Sequence, residues 1–221
     1  MTLIGAGLLW FGWFGFNAGS AIGSNAIAVS AFVVTHIAAA AAGLSWVLIE
    51  WIAYKRPTAL GMATGAVAGL VAITPAAGYV GPLSAVLMGL TVSLISFFAI
   101  KMKEKFHYDD ALDVFGVHGV GGMFGAIATG IFATKAINSS GADGLFHHGG
   151  AGLLIKQFTG VAIAVCWAAI ATIVIVKIMK IFGSLRVQDE AEDSGLDLSE
   201  HGESAYAGPS AGVDEMSAFG H

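Results

Sequence analysis

His118 stands in the string Asp113-Val114-Phe115-Gly116-Val117-His118-Gly119-Val120-Gly121-Gly122-Met123, inside a long apolar run. An unpaired polar group in hydrocarbon is costly, so an ionisable residue at that depth points to a task. In helical register its face is shared by Val114 at i−4, Gly121 and Gly122 at i+3 and i+4, and Gly125 at i+7. The imidazole is thereby set in a trough with almost no neighbouring bulk. What such a ring offers is hydrogen bonding and proton exchange near neutral pH. A histidine bonded to a carbonyl of another helix would carry the same sequence.

A second cluster reads Trp10-Phe11-Gly12-Trp13-Phe14-Gly15-Phe16-Asn17-Ala18-Gly19-Ser20. Aromatic residues near a membrane surface usually serve as anchors. Here, however, Trp13, Phe16 and Ser20 fall at i, i+3 and i+7, so one face carries two rings and a hydroxyl. Aromatic faces attract a small cation that has lost part of its water, and a hydroxyl accepts a hydrogen bond from an N–H donor. This face could hold a cation.

Other polar groups invite plainer readings. His36, in Val34-Thr35-His36-Ile37-Ala38, reads as a packed, hydrogen-bonded histidine. Glu50 lies close to Trp51, Lys55 and Arg56, where an ion pair or an interfacial role is expected. His147 and His148 are adjacent and so do not face each other as i and i+4 ligands would. No metal or cofactor is expected. Thr74-Pro75 marks a kink or a helix end, with Thr74 placed to line an entrance.

The elements that must carry these residues are membrane spans. Of 221 residues, 56% are hydrophobic and 11% charged, about half the charge of an ordinary soluble domain. Apolar runs long enough to cross about 30 Å of hydrocarbon recur near 2-22, 26-53, 59-80, 82-102, 112-134 and 151-182. The expected fold is an all-α polytopic membrane protein of six transmembrane helices, with a bundle over 1-182 and a tail over 183-221. Lys55, Arg56, Lys101, Lys103, Lys105, Lys177, Lys180 and Arg186 fall on one side of the spans, and Lys135 and Lys156 on the other. By the positive-inside rule both termini are cytoplasmic and the protein is a multi-pass component of the cell membrane.

The formal charge of −5 comes from the tail: nine of the 15 acidic residues follow Arg186, and before that point ten basic residues face six acidic ones. A nucleic-acid partner would require a basic surface and is not expected. Cys166 is the only cysteine, so no internal disulfide is possible. Met1 runs straight into apolar sequence with no basic residue before it, so no cleavable signal is expected. Gly15-Gly19-Gly23 and Gly61-Gly65-Gly69 recur every fourth residue and predict close helix approach.

The strings Gly12-Trp13-Phe14-Gly15-Phe16-Asn17-Ala18-Gly19-Ser20 and Asp113-Val114-Phe115-Gly116-Val117-His118-Gly119 resemble the Amt/Mep/Rh family of ammonium transporters, specifically its Amt branch. Similarity continues through Ala66-Val67-Ala68-Gly69-Leu70-Val71-Ala72-Ile73-Thr74-Pro75 and the tail segments Leu185-Arg186-Val187, Gly195-Leu196-Asp197, His201-Gly202-Glu203 and Ala205-Tyr206. Gly208 to His221 has no counterpart in it. Family members have eleven transmembrane helices, two inverted five-helix repeats plus a long final helix. The resemblance implies that this chain corresponds to helices six to eleven and lacks the first repeat.

Carried over, Trp13 and Ser20 match the outer ammonium-recruitment site, Phe16 one of two stacked gate rings, and His118 one of two pore histidines. Val67, Thr74 and Val114 are expected to line the pore. The second gate ring, the other histidine and an acidic residue supporting the outer site belong to the first repeat, and Val34 stands where a polar Asn is expected before Thr35. The resemblance implies ammonium as the substrate, with ammonia and a proton separated behind the gate. It also implies a homotrimer in the lipid bilayer, and regulation by a PII-type protein through the tail. No enzymatic activity is expected.

Two other classes fit part of the pattern. Six spans with Ser20 and His118 superficially match a rhomboid-type intramembrane serine protease. That motif needs Gly where this chain has Ala18, and no oxyanion-hole residues stand out. A haem-binding membrane subunit would use His36 and His118.

Overall fold

The structure, a computed structural model, describes residues 1–204 apart from the side chain of Glu104. The Ala205-Tyr206 similarity and Gly208 to His221 lie outside the described residues. Those described form two compact units, Met1–Val165 and Cys166 onward.

The first unit is a helical bundle built from α1 (Thr2–Gly19), α2 (Ala26–Tyr54), α3 (Ala59–Ile73), α4 (Pro82–Phe106) and α5 (Gly121–Phe132), the last preceded by a π-helical turn over Phe115–Val120. The helix α6 (Gly152–Phe182) begins in this unit and runs into the second. Among the described residues four helices are long and apolar enough to cross a membrane: Ala26–Tyr54, Pro82–Lys103, Phe115–Phe132 and Gly152–Phe182. At about 22 Å the 15 residues of α3 fall short of the hydrocarbon thickness. In α1, glycines and Asn17 dilute the apolar character.

Local chemistry sets the boundaries. Asn25 caps α2 by accepting from the Ala28 N–H at 3.0 Å, and Lys55 closes it in the left-handed conformation. Thr58 caps α3, its hydroxyl accepting from the Gly61 N–H at 2.8 Å. Glu50 corrects the expectation of an ion pair. Its carboxylate is buried and accepts from the Thr58 N–H at 2.6 Å, the Thr58 hydroxyl and the Trp46 indole N–H at 3.2 Å. Lys55 donates instead to the Ile52 carbonyl. The reason is capping: the carboxylate accepts the donors of Thr58, so the α2–α3 turn closes on it.

The core lies where α2, α3, α4 and α5 meet, with Val34, Ala38, Ile73, Val80 and Met88 fully buried. A Cβ on Gly65 would come 2.5 Å from the Trp46 Cβ, and one on Gly69 2.5 Å from the Ala38 carbonyl oxygen. This stripe lets α3 lie against α2 at contacts no larger residue permits. The α1 stripe is a correction: nothing approaches within 4 Å of a Cβ built on Gly15 or Gly19, so close approach is absent there. In α6 no residue is buried, and Cys166 is exposed. Within the second unit α7 (Asp189–Ser194) and α8 (Leu196–His201) pack together, Arg186 pairing with Glu192 at 3.1 Å and the Ser199 hydroxyl donating to the Ala191 carbonyl.

Candidate functional site

The C-terminal end of α1 and the end of α3 together form a recess lined by Phe16, Asn17, Ser20, Thr74, Tyr79 and Asn138, among others. Its hydrogen bonds have a consistent polarity. Ser20 donates its hydroxyl proton to the Phe16 carbonyl at 2.6 Å, and Thr74 donates its own to the Leu70 carbonyl at 2.7 Å. The Trp13 indole N–H then donates to the Thr74 oxygen at 2.7 Å, which ties the ring on α1 to the end of α3. A hydroxyl has one proton and two lone pairs, so both oxygens are left as acceptors. The Phe16 ring stands edge-on to Trp13 at 6.1 Å between centroids and is itself exposed.

Asn17 is the one buried residue of α1, and its amide donates to the Thr35 hydroxyl oxygen at 2.9 Å; the Thr35 hydroxyl in turn donates to the Ala31 carbonyl. Val34, which stands where a polar residue was expected, is fully buried in the apolar core, and Thr35 alone meets Asn17 from this stretch. His36 packs as expected, with its ring beside Trp10 at 5.3 Å and Phe14 at 6.2 Å, but it does so at an exposed position.

His118 opens into a different recess, with Gly5, Leu9, Thr64, Val67, Asp113 and Val117 among its lining. Gly5 and Leu9 also line a shallow groove running past Gly12 and Trp13 to Phe16. The lining of this groove thus shares Gly5 and Leu9 with the His118 recess and Phe16 with the Ser20 recess, all along one strip of α1. Trp13 and Val67 both pack on the cluster that contains Val117, next to His118.

The helical register assumed around His118 is corrected. Phe115–Val120 wind as a π-helix, which inserts one residue into the turn, rather than as an α-helix. Val114 does not line the His118 recess and instead lines a separate groove with Tyr108, Asp110, Phe115 and Gly119. Just upstream, Asp113 adopts a left-handed backbone with φ 56°, and Lys103 donates to both the Asp113 carboxylate and the Asp110 carbonyl.

Trp13, Phe16, Ser20 and Thr74 thus come together, Val67 and His118 come together elsewhere, and Val114 joins neither group. Sequence reasoning missed Asn17, Tyr79 and Asn138. Asn17 carried a signal, a polar amide inside an apolar helix, whereas Asn138 sits in a loop whose path no local pattern fixes. The serine-protease pairing finds no support, because Ser20 is bonded to Phe16 and lies in a different recess from His118. His36 and His118 likewise do not meet as haem ligands would: His36 packs with rings of α1, and His118 lines its own recess. Among the described residues no group of three or more His, Cys, Asp or Glu is arranged to hold a metal.

Apolar helices around a polar-tipped groove define a polytopic helical membrane protein. Residues 1–206 match the model of the Ammonium Transporter Family, and the chain belongs to that family. It is 52% identical over 206 residues to an ammonium transporter of Bacillus subtilis (strain 168), an alignment covering 93% of this chain and 51% of the relative. Identity to ammonium transporter Amt1 of Archaeoglobus fulgidus is 45%, over 93% of this chain and 52% of that protein. The crystal structure of Saccharomyces cerevisiae Mep2 superposes with a TM-score of 0.80 at 34% identity, over 85% of this chain and 43% of Mep2. A structure described as a Sensor Amt Protein superposes with a TM-score of 0.79 at 33% identity, over 90% of this chain and 48% of that one. The chain spans about half the length of the curated relatives it matches.

Proposed function

We propose that this chain supplies one half of an ammonium-conducting pore, with the Ser20 recess as its outer mouth and the His118 recess as its interior. The observation that carries this reading is the groove along α1 past Gly12 and Trp13, whose lining shares Gly5 and Leu9 with the His118 recess and Phe16 with the Ser20 recess. At the mouth, the Ser20 and Thr74 hydroxyl protons are turned to backbone carbonyls, so the oxygens offer lone pairs to an incoming N–H donor. Phe16 adds an exposed ring face to which a partly dehydrated cation is drawn.

Moving the full charge through an apolar groove would cost several kcal/mol or more, so ammonium gives up its proton and ammonia passes. Phe16 acts as one ring of the gate. Behind it His118 exchanges hydrogen bonds with ammonia and, with a partner histidine of the first repeat, relays the proton. Potassium has no N–H to donate and no proton to surrender, and selectivity follows from that chemistry. Val67 lines the interior and Thr74 the mouth; Val114, which faces another groove, is left out of the pore wall.

The six runs correspond to helices six to eleven of the eleven-helix fold, with the bundle over 1-182 in the cell membrane and the tail over 183-221 in the cytoplasm. The open face of α1, including Gly15 and Gly19, is where the first repeat packs. The assembled transporter is a homotrimer, and its tail is the contact for a PII-type regulator.

The test is transport by the complete transporter with His118→Ala: selectivity for ammonium over potassium should fall sharply, and unchanged selectivity would overturn the assignment. The 221-residue chain reconstituted alone should carry no ammonium current. A current from it would show that the pore does not need a second half.

A further inference from the structure

We propose that Asp110 and Lys103 are positioning residues for His118, forming a clamp that fixes the start of the π-turn and with it the direction of the imidazole. Both oxygens of Asp110 cap the helix that carries His118. One accepts from the Val114 N–H at 2.9 Å and the other from the Phe115 N–H at 2.8 Å. A helix start leaves four amides without intrahelical partners, and a carboxylate is well suited to them because the positive end of the helix dipole adds to two charge-assisted bonds.

Lys103, near the end of α4, holds this cap in place by donating to the Asp110 carbonyl at 2.8 Å and to the Asp113 carboxylate. Asp113 needs holding. Its left-handed backbone, φ 56°, is unfavourable for a residue with a Cβ, and the ion pair with Lys103 offsets that strain. One turn earlier on α4, Ile100 meets the π-turn itself: a Cβ on Gly116 would come 2.7 Å from the Ile100 Cγ1. The last turns of α4 therefore cradle the segment at an apolar point and a polar one.

The geometric consequence falls on His118. At 3.6 residues per turn, one residue of register is about 100° of rotation about the helix axis. The π-turn stores that one residue between the clamp and Gly125, which is anchored so closely to α3 that a Cβ there would overlap the Ala72 carbonyl. If the clamp opens, Phe115–Val120 can relax to the α-helical register, and the imidazole swings out of the recess it shares with Val67. Asp110 and Lys103 need not touch anything that passes through the groove. They act through the register of the turn.

This inference rests on the reading of His118 as the pore imidazole, but its test does not use transport. The chain is placed in lipid nanodiscs and treated with diethyl pyrocarbonate, and the rate of carbethoxylation at His118 is read by mass spectrometry against His36 as internal reference. Lys103→Met and Asp110→Ala should each change the His118 rate about tenfold, equivalent to roughly 1.4 kcal/mol, while His36 stays constant. Lys103→Arg, whose guanidinium can reach both acceptors, should restore the original rate. Asp110→Asn, with one amide oxygen left to accept, should fall between, and it decides the matter if Lys103→Met does not fold.

An unchanged His118 rate in Lys103→Met or Asp110→Ala would overturn the proposal. So would parallel changes at His36, which signal general loosening, or failure of Lys103→Arg to restore the rate. Loss of His118 dependence in a transport assay would sink the functional reading alone and leave the clamp measurable.

Discussion

The glycines of α3 and those of α1 follow the same four-residue spacing and meet opposite surroundings. On α3, Gly61 lies against the Glu50 carboxylate, Gly65 against Trp46 and Gly69 against the Ala38 carbonyl. Ten of the 15 residues of α3 are buried, so its stripe is filled from within the chain. On α1 only Asn17 is buried, and Gly5, Gly7, Gly12, Gly15 and Gly19 all have open space where a Cβ would go. A small-residue repeat therefore encodes permission for close approach, and the partner must come from elsewhere in the sequence or from another chain. The same contrast places the groove: it runs along the helix left open, with the tightly packed helix as its rigid back.

Glu50→Ala should break the packed side of this contrast most severely. It strands the Trp46 indole, the Thr58 amide and the Thr58 hydroxyl in a buried place, for a loss of roughly 2–4 kcal/mol in an SDS-unfolding titration. A loss below 1 kcal/mol, on the order of a surface contact, would mean water reaches the site.

Gly65→Ala should cost about 1–3 kcal/mol in the same titration, because its methyl group would press on the Trp46 Cβ and the Ala42 carbonyl. Gly15→Ala, on the open helix, should change stability by no more than about 1 kcal/mol and in the favourable direction, as helix propensity requires. Repeating Gly15→Ala in the complete transporter sharpens the comparison: a penalty matching that of Gly65→Ala is expected there if, as proposed, a first repeat packs on that face.

The smallest effect belongs to the loop between α5 and α6, which is stapled by polar contacts rather than packing. The Lys135 backbone N–H holds the Asp143 carboxyl below the ordinary aspartate value of 3.8 against the opposing effect of desolvation, with the Thr134 hydroxyl and the charges of Lys135 and His147 adding to the lowering. A depressed value contributes stability in full above pH 3.8, and that contribution fades as pH falls through the lowered one. Peptic cleavage within 134–149 should accordingly rise as the pH drops below 3.8, while Asp143→Asn should be cleaved alike throughout that range.

Long apolar runs and sharp turn residues made the helices of this bundle legible in the sequence. Asn25 and Thr58 cap where capping residues stand, and α3 stops where Thr74 bonds back to Leu70 and Pro75 can donate no amide. The aromatic and hydroxyl face of α1 was legible too, because i, i+3 and i+7 spacing survives in any α-helix. What escaped was whatever depends on a neighbour. Glu50 read as an ion-pair or interfacial residue because the Thr58 donors that it accepts from become neighbours only when the α2–α3 turn closes. Val114 read as a companion of His118 because α-helical register was assumed, whereas Phe115–Val120 wind as a π-turn and Val114 lines another groove. Gly15 and Gly19 read like Gly61 and Gly65 because spacing does not say who fills the space.

The buried Glu50 carboxylate also bears on how the bundle is assembled. Its donors lie at Trp46 and Thr58, so the bonds that close the α2–α3 hairpin span at most eight residues of chain. Closing so short a loop costs little entropy, and contacts this local form early. The hairpin can dock while later helices are still being synthesised, so the α3 wall of the His118 recess can form before the segment that carries His118 arrives.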